Sequence, residues 1–372
     1  MPLSTTAPRY SAGTATAAVD KAVPRAVAAW LFVCCGLIFL MVVVGGITRL
    51  TLSGLSITEW NPVIGVIPPL THAQWAAEFA RYRQVPEYRA VHFGISLADF
   101  KTLYFWEYAH RLLGRLIGVV FAAPLLWFWL RGRLPRRLGP ALVGILALGF
   151  AQGLLGWYMV ESGLAHRIEV SQYRLVAHLA LALALYSAIL WTALGLRATN
   201  EARSSASLAC GGGLGWGRRR AAEAVILLVA VTIAAGGFVA GTRAGFVYNT
   251  FPLMGGHLVP GEYAALHPFI RNWFENLAAV QFDHRLLAMT TLGAVLLMWA
   301  AALGRLAASP ARTALWFLLA AVLLQVALGI STLLLVVPIP LAAAHQAGAV
   351  LLLTAAIVFR HTLRPAAGGT IP

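Results

Sequence analysis

Eight apolar runs, near 26–47, 112–130, 139–160, 175–196, 221–241, 286–304, 313–337 and 341–359, constrain this chain more than anything else in its 372 residues. A helix needs about 20 apolar residues to cross a hydrocarbon layer ~30 Å thick. Inside that layer only helices and closed barrels satisfy their own backbone hydrogen bonds. The runs therefore predict an all-α integral membrane protein with eight transmembrane helices. Composition agrees: 11% of residues are charged, against about 25% in soluble domains. A 60% hydrophobic content excludes disorder, and the 35 Gly and 18 Pro are scattered without a collagen-like period.

The formal charge of +15 does not point to nucleic acid, because the basic residues cluster in segments between spans. Arg9, Lys21 and Arg25, the group Arg131, Arg133, Arg136 and Arg137, the linker residues Arg197, Arg203, Arg218, Arg219 and Arg220, the pair Arg305 and Arg312, and Arg360 with Arg364 all fall on one side of an eight-span chain. The positive-inside rule makes that side cytoplasmic, with both termini there. The outer side then receives loops at 48–109, 161–174 and 242–282 and a short turn at Pro338-Ile339-Pro340. The first run is longer than the roughly 7–15-residue core of a signal peptide and lacks a cleavage pattern, so it reads as a span. Within the first outer loop, the stretch from Thr71 to Arg89 reads as an interfacial helix broken at Pro86. Three cysteines build no disulfide framework: Cys34 and Cys35 read as small core residues, and Cys210 lies in the linker.

The second half echoes the first. Gly45-Gly46 returns as Gly236-Gly237, His110-Arg111-Leu112-Leu113 as His284-Arg285-Leu286-Leu287, Gln152…Gly156 as Gln325…Gly329, and His178 as His345. Two units of four spans each are parallel in the membrane. The expected architecture is two parallel-repeat four-helix bundles. The corresponding divisions are a tail at 1–25, a first bundle at 26–196, a flexible linker at 197–220, a second bundle at 221–360 and a tail at 361–372.

Ionisable residues within spans are functional candidates by default. His72, His92, His166, His257 and His267 fall in loops and His361 at the cytoplasmic end, whereas His110, His178, His284 and His345 are expected in the outer first turns of spans two, four, six and eight. A lone membrane histidine acts as polar glue between helices. Facing pairs repeated in two bundles suit axial ligation of haem, with one imidazole on each face of a flat macrocycle. Zinc would call for three or four ligands in a tetrahedral shell. Arg111 and Arg285 have two readings, as partners of haem propionates or as side chains snorkelling to the interface. The halves differ at one place: Glu107 stands three residues before His110, and Gln281 three before His284. A carboxylate there can move protons or stabilise positive charge, or it can serve a helix N-terminus.

Longer strings add a resemblance over nearly the whole chain. They are Gly45-Gly46-Ile47-Thr48-Arg49-Leu50-Thr51, Ser53-Gly54-Leu55-Ser56-Ile57-Thr58-Glu59-Trp60, Gly65-Val66-Ile67-Pro68-Pro69 and Glu107-Tyr108-Ala109-His110-Arg111-Leu112-Leu113-Gly114-Arg115. Gln152-Gly153-Leu154-Leu155-Gly156-Trp157-Tyr158-Met159-Val160, Asn249-Thr250-Phe251-Pro252-Leu253-Met254 and Asp283-His284-Arg285 complete the set. Together they resemble the heme A synthase family. The resemblance implies an enzyme that oxidises a methyl group of heme O to the formyl group of heme A, for terminal cytochrome oxidase, with the oxygen atom drawn from water. It implies that His110 and His178 flank the substrate haem with Glu107 assisting, and that His284 and His345 are axial ligands of a permanent heme b used in electron transfer. Arg111 and Arg285 are then candidates for cofactor binding. The implied partners are heme O synthase, cytochrome oxidase assembly factors and membrane lipid, with a homo-oligomer left open. Another branch of the family carries a cysteine pair in the first outer loop, but no cysteine lies between Cys35 and Cys210 here. The tail before the first span is short for a transit peptide, which points to a bacterial inner membrane.

Two other classes compete. A di-haem electron-transfer protein explains the histidines and the repeat but gives no reason for the difference between Glu107 and Gln281. A secondary transporter explains duplicated bundles, yet calls for broken helices near mid-membrane rather than four histidines at one level.

Overall fold

The computed structural model describes residues 13–59, 64–166, 169–202, 212–302 and 309–364. Trp60, Cys210 with the middle of the expected linker, the first twelve residues and most of the C-terminal tail lie outside them. Among the described residues the secondary structure is helical, and eight helices are long and apolar enough to cross a membrane. They are α1 (Gly13–Leu50), α4 (Leu97–Leu130), α5 (Gly139–His166), α6 (Gln172–Ala202), α7 (Gly212–Thr242), α9 (Leu277–Ala302), α10 (Pro310–Leu334) and α11 (Ile339–Thr362). Three short helices lie between spans: α2 (His72–Tyr82), α3 (Pro86–Ala90) and α8 (Asn272–Glu275).

Caps fix where several helices begin. Ser96 accepts from the Asp99 amide while the Asp99 side chain accepts from the Ser96 amide, a reciprocal box that starts α4. Thr71 and Gln74 do the same for α2. Ser309 caps α10, with Pro310 at the first helical position. Two spans begin earlier than their apolar runs suggest. The second span begins at Leu97 rather than near 112, so His110 lies thirteen residues into α4, about 20 Å along its axis. The sixth span begins at Leu277, which puts His284 seven residues in. Hydropathy placed both starts late because Lys101, Glu107 and Arg111, and likewise Asp283 and Arg285, lower the local average without breaking the helix. His178 and His345 lie six residues into α6 and α11, nearer the expectation.

In the first half α1 packs on α4 and α6, and α5 bridges α4 and α6. In the second half α7 packs on α9 and α11, and α10 bridges α9 and α11. Across the middle α6 meets α7 and α11, and α1 meets α11. One continuous apolar core runs through this junction, from Leu31, Cys34 and Cys35 through Tyr186 and Ile189 to Val229, Leu353 and Ile357. Both cysteines are buried, as expected. Lipid offers no solvent-driven reason for helices to associate, so close packing and interhelical hydrogen bonds hold such a junction together. Tyr186 and Thr354 hydroxyls meet at 2.7 Å, and the Gln346 amide donates to the Val42 carbonyl at 2.9 Å. Gly46 makes room for that glutamine: a Cβ at Gly46 would lie 1.7 Å from Gln346 Oε1.

At the loop-bearing end, Glu169 ties the halves together. It accepts from Arg49 at 2.7 Å and pairs with Arg243 at 2.9 Å. The chain breaks its helix at Pro86, as expected. The apolar faces of α2 and α3 are buried against the projecting start of α4, in a cluster of Phe79, Tyr82, Val85, Tyr88, Phe100 and Tyr104. At 34 residues, α4 is about 50 Å long, more than a hydrocarbon layer requires. Its first turns therefore serve as a post for this cap.

Candidate functional site

Each of the four span histidines rests its ring on a glycine of the neighbouring helix. A Cβ would approach the imidazole Cε1 to 3.1 Å at Gly45 beside His110, 2.9 Å at Gly156 beside His178, 2.9 Å at Gly236 beside His284 and 2.8 Å at Gly329 beside His345. Glycine is thus the residue that lets the ring stand edge-on to the next backbone. Two glutamines add to the correspondence. Gln152 Nε2 donates to the His178 carbonyl and Gln325 Nε2 to the His345 carbonyl, both at 3.0 Å. The sequence echo of these glycines and glutamines was legible; their contact with the histidines was not, because it crosses between helices.

The second-half pair faces across a gap. His284 and His345 ring centres lie 6.4 Å apart with planes at 79°. Two imidazoles on opposite sides of one metal ion, each bonded at about 2 Å, have ring centres separated by roughly that much. The Thr232 carbonyl lies 3.1 Å from His284 Nδ1. A carbonyl only accepts, so Nδ1 carries the hydrogen and Nε2 keeps its lone pair, the tautomer a metal-bound imidazole needs. Among the described residues no group of three or more His, Cys, Asp or Glu could hold a metal ion, which counts against a tetrahedral zinc site. Polar atoms at the histidine level are buried without partners in both halves: His178 Nδ1 and Gln152 Oε1 in one, His345 Nδ1, Gln325 Oε1, Gln281 Oε1 and Arg285 Nε in the other. Buried groups of this kind call for an occupant.

Glu107 is 3% exposed and held from three directions. Its Oε2 accepts from Ser56 Oγ and from the Ile57 amide, both at 2.8 Å, and its Oε1 accepts from Arg111 at 2.6 Å. Arg111 also donates to the carbonyls of Ile57 and Glu59. Arg285 repeats this with the carbonyls of Tyr248 and Thr250, at 2.6 and 2.8 Å. Both arginines therefore anchor the loop that covers their own half, a role the sequence did not suggest. Gln281 donates to the Tyr248 carbonyl at 3.1 Å and leaves its Oε1 without a partner. The same scaffold thus presents a carboxyl group in one half and an amide in the other. Ser56 belongs to the loop string Ser53-Gly54-Leu55-Ser56, and nothing in sequence marked it as a partner of Glu107, 51 positions away.

Among the described residues no ring contact joins His110 to His178, whereas one joins His284 to His345. In the first half the Gln152 amide nitrogen also stands 3.4 Å from His178 Nε2. The two histidine pairs share the glycine scaffold and differ in their polar neighbours.

A sequence model of the family described as cytochrome oxidase assembly protein matches residues 28–357. The chain is 52% identical over 343 residues to the heme A synthase of Nitrosospira multiformis, covering 92% of this chain and 95% of that protein. It is 51% identical over 347 residues to the heme A synthase of Rhodospirillum centenum, covering 93% and 90%. With the heme A synthase of Parvibaculum lavamentivorans it shares 48% over 339 residues, covering 91% and 94%.

Proposed function

The chain belongs to the cytochrome oxidase assembly protein family, and from that premise we propose that it is a heme A synthase, a multi-pass membrane oxidoreductase converting heme O to heme A. The observation that carries the division of labour is the buried carboxylate of Glu107 three residues before His110, where the other half has Gln281. In this reading the first half is the reaction site. His110 and His178 hold the substrate haem, and Glu107 faces the methyl group that is oxidised.

With water as the oxygen source, R–CH3 and H2O give R–CHO, four electrons and four protons. Loss of electrons leaves positive charge at the reacting carbon, and a carboxylate fixed by Ser56, the Ile57 amide and Arg111 is preorganised to stabilise it and to take a proton. In the second half, His284 and His345 would hold heme b, and the partnerless Arg285 Nε is a donor for a propionate. Heme b, when bound, supplies electron transfer. Gly236, Gly329 and the Thr232 carbonyl set the orientation and tautomer of its two ligands. The clustering of Lys and Arg at the end that carries the termini supports a cytoplasmic location for both, in a bacterial inner membrane. The matched glycine, histidine and glutamine contacts support two parallel four-helix repeats.

Haem extracted from the purified protein, produced in cells that make heme O, is expected to be heme B with heme O or heme A beside it. Two equivalents of heme B per chain and no other haem would favour the electron carrier instead. A narrower test falls on Gly329. A methyl group there presses on the His345 ring, which is packed in place, at about 1–3 kcal/mol for overpacking. Gly329→Ala is therefore expected to shift or bleach the low-spin spectrum of the second-half haem. Gly46→Ala, whose new methyl meets only the end of the flexible Gln346 side chain, leaves that spectrum in place. Equal effects from the two would detach the glycines from ligand geometry.

A further inference from the structure

Under the cap formed by α2 and α3 lies an acid that the reading above does not use. Glu87 is 3% exposed and Tyr82 is fully buried, and Tyr82 belongs to the aromatic cluster with Phe79, Tyr88, Phe100 and Tyr104. Carboxylates are seldom buried without a compensating charge, yet Glu87 forms no ion pair among the described residues. Its Oε2 lies 3.3 Å from the Tyr82 hydroxyl. That hydroxyl lies 2.6 Å from Nδ1 of His92, which is half-buried at the edge of the cap. The charged groups around this chain of three are Glu107, Glu169 and Arg49 near Glu87, and Arg243 near His92.

One hydroxyl hydrogen cannot serve both neighbours. When His92 Nδ1 accepts it, the Tyr82 oxygen is left to accept from a protonated Glu87. When His92 carries hydrogen on Nδ1, it donates to Tyr82 and Tyr82 donates to an ionised Glu87. These two patterns are the ends of a single proton shift.

We propose that Glu87, Tyr82 and His92 form the exit by which protons leave the neighbourhood of Glu107 for the water on the loop-bearing side. The step balances: the O–H bond of the Glu87 carboxyl breaks as a hydrogen bonds to the Tyr82 oxygen, the original Tyr82 hydrogen passes to His92 Nδ1, the imidazolium releases a proton to water, and the carboxylate left on Glu87 takes the next proton released beside Glu107. No electrons move. Burial, and next the charge of Glu107, push the Glu87 carboxyl up to about 8, so it holds a proton at neutral pH and can give it up. Burial and the Arg243 charge pull His92 below its ordinary range, so the imidazolium gives its proton to water readily. This exit rests on the reading of Glu107 as the carboxylate beside the substrate.

The test combines turnover with infrared titration of the haem-loaded protein. In Glu87→Gln and His92→Ala, heme O conversion is expected to slow roughly ten-fold, less than the roughly 10²–10⁴-fold owed to direct acid–base catalysis, with haem content unchanged. Added imidazole restores His92→Ala and leaves Glu87→Gln slow, an effect no packing role would produce. The wild-type protein should show a carboxylic acid band that disappears with a midpoint near 8, is missing in Glu87→Gln and titrates at lower pH in Glu107→Gln. Wild-type turnover in Glu87→Gln, or no such band, overturns the exit. A wild-type protein that binds haem, shows the band and makes no heme A would overturn the synthase reading while leaving the coupled pair of acids standing.

Discussion

Replacing either His284 or His345 by alanine is expected to abolish the low-spin absorbance of the haem in the second half, and heme A formation with it. In the proposed reading each imidazole would supply one of the two protein bonds to the iron, and the 6.4 Å separation of the ring centres leaves space for a single iron between them. No third imidazole or thiolate stands ready to substitute, since the described residues hold no cluster of three ligating side chains. The loss should exceed the roughly 10–100-fold seen when only a group that orients a ligand is removed. Neither substitution should unfold the protein. Alanine at 284 or 345 sits within a helix whose backbone bonds are intact and removes a polar ring from the bundle interior. Circular dichroism should show unchanged helix content beside the missing haem band. A normal low-spin spectrum in both variants would take the second-half pair out of haem binding.

The second large effect belongs to Glu107→Gln. The substitution nearly preserves volume and makes the first half resemble the second at this position. An amide oxygen can still accept from Ser56 or the Ile57 amide, but an amide NH2 turned toward Arg111 places donor against donor, so the loop anchor loosens locally. The chemical loss is larger. A neutral amide takes no proton at ordinary pH and offers far less stabilisation to a positive centre, so turnover should fall by roughly 10²–10⁴-fold, the range for general acid–base catalysis. Heme b should remain, because His284 and His345 lie in the other half of the chain, on α9 and α11.

Much of this was legible in the sequence, for physical reasons that differ from residue to residue. The eight spans were readable because lipid tolerates little besides long apolar helices. Their starts were not, because a cap such as Ser96 with Asp99 outweighs a local dip in hydropathy, and so His110 was expected in a first turn and lies thirteen residues deep. The histidine pairs stood out only because the chain repeats itself. Gly45, Gly156, Gly236 and Gly329 were visible as echoes, but their meaning is a contact of about one methyl group's width between helices. Arg111 and Arg285 were placed beside the right histidines, but the loop carbonyls they hold could not be read, since those lie 35 to 54 positions away. Glu87 was invisible as a buried acid, because nothing local tells an interfacial helix from one folded back onto α4.

Central to the account is that chemistry occurs in the first half through Glu107 while a resident haem sits in the second. The most direct measurement is the haem extracted from Glu107→Gln, compared with the unaltered protein purified from the same heme O-producing cells. The expected result is an undiminished amount of heme B, with heme O or a partly oxidised intermediate in place of heme A. Heme A at the level of the unaltered protein would contradict the account, since the carboxylate would then have no part in the reaction and the contrast between Glu107 and Gln281 would be a matter of loop anchoring alone.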